Sequence, residues 1–171
     1  MRKLLLMGLL SIYGFANDSS FSFTPVVGGT YNSDDTNLDN DYTYGLRVDF
    51  SRGNNIDDFL IHRLQLALDY SDEHDYNGFG STSILRVGAN ALWDLDSNSA
   101  ISPFILAGVG YQAFDDGVIA ENESGIYASF GAGLEFEINK NMNFIVEGKD
   151  IISSSNTNYF LGNVGVRIKM N

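Results

Sequence analysis

The feature that most restricts the fold is an apolar pattern of period two that continues along almost the whole chain. Residues 59–70 read F-L-I-H-R-L-Q-L-A-L-D-Y, so Leu64, Leu66, Leu68 and Tyr70 alternate with Arg63, Gln65, Ala67 and Asp69. In a strand the two sets fall on opposite faces; a helix would mix them. Eight runs of this kind stand at about 20–31, 42–51, 59–71, 82–95, 103–114, 125–138, 143–153 and 159–170. The connectors alternate as well. Ser51 to Asn55, Asp96 to Ser99 and Asn139 to Asn141 are short clusters of turn residues, whereas Asn32 to Asp41, Asp72 to Gly80 and Asp115 to Glu123 are longer, with a shorter Ser154 to Asn158. Short turns at one end and longer loops at the other predict an up-and-down antiparallel sheet of eight strands.

The N-terminus lies outside this pattern. Met1 to Ala16 has a basic start, an apolar stretch and small residues before Asn17, the layout of a secretory signal peptide. Residues 1–16 are therefore expected to be cleaved, and 17–171 to form the barrel domain. Removing Arg2 and Lys3 takes the formal charge from -12 to -14. A chain this acidic is not expected to bind nucleic acid. With no Cys, a disulfide scaffold, a thiolate metal site and a lipid-modified N-terminal Cys are excluded. Past the N-terminus no apolar stretch is long enough for a membrane helix, so a membrane would be crossed by strands.

The orientation of the faces separates a soluble barrel, apolar inside, from a membrane barrel, apolar outside. In 129–138 the polar face holds Ser129, Gly131, Gly133, Glu135 and Glu137, opposite Phe130, Ala132, Leu134, Phe136 and Ile138. In 105–112 Gly108, Gly110 and Gln112 lie opposite Ile105, Ala107, Val109 and Tyr111. Glycine on the polar side suits a crowded lumen better than a solvated wall. The polar faces together carry Arg47, Asp49, Arg63, Asp69, Arg86, Glu135, Glu137, Glu147, Lys149, Arg167 and Lys169, six cations against five anions. Buried charges need partners, so this near-balance predicts a lumen filled by salt bridges; the alternative is a solvated face of mixed charge.

The surplus acid falls in the longer loops: Asp34, Asp35, Asp39 and Asp41; Asp72, Glu73 and Asp75; Asp115, Asp116, Glu121 and Glu123, with no Lys or Arg among them. Aromatics gather at strand ends. Tyr31, Tyr42, Tyr44, Tyr70 and Phe114 stand toward the loops, and Phe21, Phe23, Phe50, Phe59, Trp93, Phe104 and Phe144 toward the turns. Two such girdles are expected at the two interfaces of a bilayer. Five outward residues on a strand span about 30 Å, which a tilt of about 40° reduces to roughly 23 Å of height, close to the apolar band of an outer-membrane barrel.

The stretches P-F-I-L-A-G-V-G-Y (103–111), G-A-G-L-E-F-E-I-N-K-N-M-N-F-I-V-E (131–147) and G-V-R-I-K (165–169) resemble the last four strands of the OmpA-type eight-stranded outer-membrane barrel family. The likeness extends over about 20–170. It implies an all-β, eight-stranded antiparallel transmembrane barrel of the Gram-negative outer membrane, with extracellular loops and periplasmic turns. It further implies outer-membrane lipid and lipopolysaccharide as surroundings and the barrel assembly machinery as a partner. Glu135 and Glu147 match interior glutamates of the family. An interior Arg commonly precedes the second of these by two positions, where this chain has Ile145, so Arg86, Lys149 or Arg167 is expected to partner Glu135. The chain ends Lys169-Met170-Asn171 rather than on an aromatic residue, so Val164, Val166 and Ile168 are expected to serve as the assembly signal, and no peptidoglycan-binding domain is expected.

No catalytic residue, metal site or cofactor is expected. His62 falls on the lipid-side phase near a turn, and His74 lies in the acidic D-E-H-D segment, with Ser71 and Ser81 nearby in sequence, a spacing that by itself makes no nucleophile. The acidic loops lack the spacing of a calcium loop. Gly28-Gly29 and Gly131-x-Gly133 read as small strand residues rather than phosphate loops. The expected function is a structural or surface role with a largely occluded lumen. The alternatives are a small pore for ions or solutes, and an adhesin or receptor acting on an unknown surface ligand through the acidic loops.

Overall fold

A computed structural model describes residues 19–32, 41–52, 61–75, 81–96, 99–115, 124–154 and 158–170. These form eight strands: β1 (Ser19–Asn32), β2 (Asp41–Arg52), β3 (Arg63–Asp75), β4 (Ser81–Asp94), β5 (Ile101–Asp115), β6 (Gly125–Asn139), β7 (Met142–Ser153) and β8 (Asn158–Met170). Each pairs antiparallel with the next, and β8 pairs with β1, which closes the sheet into a barrel. Closure removes the two free edges that an open eight-strand sheet would present.

The alternation sorts the side chains as the sequence predicts. Leu66, Leu68, Leu85, Val87, Ile105, Val109, Phe130 and Val146 are exposed on the outer wall, whereas Arg47, Asp49, Gln65, Asp69, Arg86, Asn90 and Lys149 are buried inside. Tyr31, Tyr42, Tyr44 and Tyr70 ring the loop end of the outer wall. Two aromatics assigned to the girdles point the other way. Phe104 and Phe114 are buried, Phe104 with Leu92, Leu106 and Ile145 toward the turns, Phe114 with Ile84, Tyr127, Ile151, Tyr159 and Leu161 toward the loops. The inner face of β5 is apolar at both ends, so apolarity alone could not distinguish its faces.

Several element ends differ from the sequence expectation. β3 starts at Arg63, with Ile61 and His62 ahead of it outside the strand, and residues 53–60, which include the expected turn and the start of the expected third run, lie outside the described residues. At its other end β3 continues to Asp75, with His74 opposite Thr82 and Asp75 opposite Ser81 after a register shift beyond Ser71. Asp72, Glu73 and Asp75 thus belong to a strand and not to a loop, and the connector shrinks to 76–80. Asp41 opens β2 and Asp115 closes β5. Residues 1–16, Phe59, and the acids Asp34, Asp35, Asp39, Asp116, Glu121 and Glu123 lie outside the described residues.

Inward glycines make room for large neighbours. A Cβ on Gly88 or Gly110 would come within 2.4 Å of the Tyr127 side chain, and one on Gly108 within 2.0 Å of the Asn90 amide oxygen. The closing seam has one irregularity. Phe23 pairs with Ile168 and Val26 with Gly165, but the pairing skips Thr24 and Pro25. Proline has no N–H to contribute to a sheet ladder.

Candidate functional site: the charged lumen

Eight strands leave an interior only wide enough to be filled by side chains. Toward the turn end, Glu135 on β6 accepts from Arg63 Nη1 at 2.6 Å through Oε1, from Arg167 Nη1 through the same oxygen, and from Asn143 Nδ2 at 3.0 Å through Oε2. Arg63 also bonds Asp94 at 2.5 Å, and Arg167 bonds Asp49 at 3.1 Å. Nearer the loops, Arg47 pairs with Asp69 at 2.7 Å and Glu147 at 3.3 Å. Lys149 lies 3.2 Å from Asp69 and 3.7 Å from Glu147. These charges come from strands distant in sequence, so each cluster ties opposite walls of the barrel together.

Neutral side chains join them. Ser129 donates to the Asn90 carbonyl, Asn90 to the Gln65 carbonyl at 2.8 Å, and Gln65 to Asp49 at 3.0 Å, a hydrogen-bonded belt from β6 to β2. Thr30, Thr43 and Ser71 form a hydroxyl group of three, and Ser71 accepts from Arg86 Nη1 at 2.8 Å. Arg86 is wholly buried, and its guanidinium carbon lies 5.0 Å from the Tyr159 ring centre. A cation–π contact and a hydroxyl acceptor give partial compensation for a buried charge.

The structure therefore brings Arg47, Asp49, Arg63, Asp69, Arg86, Glu135, Glu147, Lys149 and Arg167 into the lumen. Glu137 is exposed and Lys169 half-buried, because both lie at strand ends where the barrel opens. The partner of Glu135 is Arg167, as one of the three expected candidates, together with Arg63; Arg86 and Lys149 bond elsewhere. Sequence reasoning missed Asp94, Gln65, Asn90 and Asn143. Their inward phase was readable, but neutral amides and a terminal Asp give no charge pattern to notice. Ile145 packs inside against apolar neighbours where the family's Arg was expected.

His62 sits just before β3, where its Nδ1 accepts from the Asp94 backbone N–H at 3.0 Å. Among the described residues no group of three or more His, Cys, Asp or Glu could hold a metal ion.

A closed antiparallel barrel with an apolar exterior, aromatic rims and a charged interior is a membrane-spanning β-barrel. Residues 4–167 match the family model for the outer membrane protein beta-barrel domain, and the chain belongs to that family. Among solved structures it is similar to Neisserial surface protein A (NspA), with 16% identity, TM-score 0.68, and coverage of 88% of this chain and 97% of that one. It is similar to the outer membrane enzyme PagL at 18% identity and TM-score 0.55, over 86% and 98% of the two chains. It is also similar to Ail, the attachment invasion locus protein of Yersinia pestis, at 15% identity and TM-score 0.53, over 89% and 97%, in a complex with the heparin analogue sucrose octasulfate. At these identities the likeness is one of fold. No curated protein matches the chain.

Proposed function

We propose that the protein is an integral barrel of the bacterial outer membrane with a structural and surface role, and that its lumen is closed to solutes. The observation that supports this most directly is the continuity of the filling: ion pairs, amide belt and two apolar clusters occupy the interior between the two mouths. Loops face the exterior, turns the periplasm, and the surroundings are lipid and lipopolysaccharide; the assembly machinery inserts the chain. The protein is not an enzyme in this reading. The test is single-channel recording on residues 17–171 refolded into a planar bilayer. A silent, folded barrel is expected; reproducible discrete current steps would overturn the closed lumen and favour the pore.

Surface action would run through the acidic loops, which favour a cationic partner over a polyanion of the kind seen with Ail. Replacing Asp34, Asp35 and Asp39 by Asn is expected to weaken retention of intact cells on a polylysine-coated surface. Unchanged retention would remove the loops from this role.

A further inference from the structure

The lipid-facing side of β7 is interrupted by a charge. Its outward residues are Met142, Phe144, Val146, Gly148, Asp150 and Ile152. Asp150 is thus a carboxylate in an apolar series, with Ile152, 48% exposed, beyond it toward the loops. Its cross-strand neighbours on the same face are Phe130 on β6 and Phe160 on β8. Among the described residues the Asp150 carboxylate has no ion pair and no hydrogen-bond partner. Its single methylene cannot carry the charge to water as the long stems of Lys and Arg do. An unpaired charge facing lipid is costly, so it marks a site whose partner has to come from outside the chain.

Beside Asp150 the wall is hollow. Gly148, Gly162 and Gly29 stand side by side across β7, β8 and β1, and they floor a groove of about 750 Å³. That volume falls within the roughly 300–1,000 Å³ of small-molecule sites. Val146 and Val164 bound the groove toward the turns, Tyr31 and Phe160 toward the loops, with ring centres 6.4 Å apart. Tyr31 and Tyr42 are exposed, so two phenol groups are available at its loop-side rim. Asp150 borders the same groove, two positions beyond Gly148 and opposite Phe160. An acyl chain fits the apolar trough, a phosphate oxygen can accept from the phenols, and the carboxylate calls for a cation. An anionic headgroup would meet Asp150 with like charge, and a quaternary ammonium has no N–H to donate to it.

We propose that this groove is a lipid site selective for a phosphoethanolamine headgroup. One acyl chain lies over the three glycines, and the primary ammonium donates charge-assisted hydrogen bonds to Asp150 beside the Phe160 ring. The site is separate from the lumen, since Lys149 and Ile151, which alternate with Asp150, are buried inside. It therefore stands whether or not the barrel conducts.

The experiment is NMR of the barrel in phosphatidylcholine nanodiscs in which phosphatidylethanolamine or, separately, phosphatidylglycerol replaces the host lipid in steps. Amide shifts at Gly29, Gly148, Asp150 and Gly162 are expected to saturate with phosphatidylethanolamine and to stay small with phosphatidylglycerol. Asp150→Asn keeps the shape and removes the charge, so it should weaken the ethanolamine preference roughly tenfold, whereas Asp150→Glu should retain it. Gly162→Val fills the trough. A Cβ there would meet Phe160 at 3.6 Å and Tyr31 at 3.9 Å, ordinary contacts, so the wall accommodates it. This variant should lose the saturable response while its circular dichroism stays that of the original barrel. An equal response to the two added lipids, no saturation with either, or an Asp150→Asn barrel that keeps the preference would overturn the proposal. A Gly162→Val barrel that folds and titrates like the original would overturn it as well.

Discussion

Glu135 shows how one residue organises many. Its two oxygens receive Arg63, Arg167 and Asn143, so removing the carboxylate leaves two guanidiniums inside the barrel with a single carboxylate apiece. Breaking a buried ion pair by deleting one partner costs about 3–5 kcal/mol. Glu135→Ala is therefore expected to lower the unfolding free energy of the barrel, from urea titration in micelles, by an amount in that range, and Glu137→Ala, at an exposed position, to leave it nearly unchanged. Equal effects of the two would contradict the cluster described here. Residues such as Arg47 and Glu147 were legible in the sequence because charge at a polar phase of a strand has one economical explanation. Their pairing was not legible, since the partners of Arg47 lie on β3 and β7, and only the closed geometry shows which inward groups meet.

At the scale of the strand, the membrane itself writes the pattern. Where lipid contacts the wall, every second residue must be apolar, and there the strands could be read almost residue by residue. Beyond the lipid that demand ends. The run Asp72 to Asp75 has no apolar alternation and reads as a loop, yet β3 continues through it and His74 and Asp75 pair with β4. Conversely, Ile61 and His62 read as strand, although the ladder starts at Arg63. Val109 on β5 is 62% exposed on the outer wall, between Ala107 and Tyr111. Placing Arg there should destabilise the folded barrel by about 2–4 kcal/mol in a bilayer, the depth-dependent penalty of a cation on the lipid face. The measurement is denaturant titration in vesicles. A change below about 0.5 kcal/mol would remove Val109 from the hydrocarbon region.

For the whole molecule, topology was the most legible property: eight runs, alternating connectors and one inward face leave few arrangements other than a closed meander. The distribution of charge inside was not. Arg63 and Arg167 face Asp49, Asp94 and Glu135 toward the turns, while Arg47, Arg86 and Lys149 face Asp69 and Glu147 toward the loops. With Lys169 at the turn-end mouth, that end holds three cations against three carboxylates, and the surplus positive charge falls toward the loops, three against two. A count of charges by face sums over the axis and so hides this separation.

The gap at Thr24 and Pro25 gives the molecule a mechanical property that its circular outline conceals. A hoop carries load evenly only if its joint is as strong as its band, and here the joint between the first and last strands lacks a rivet. Hydrogen exchange should accordingly release the amides around Val166 earlier than those of the continuous β5–β6 ladder, and uniform exchange around the ring would contradict that. Under strain, or during insertion when the ring is not yet complete, the wall would part along this seam and shut there last.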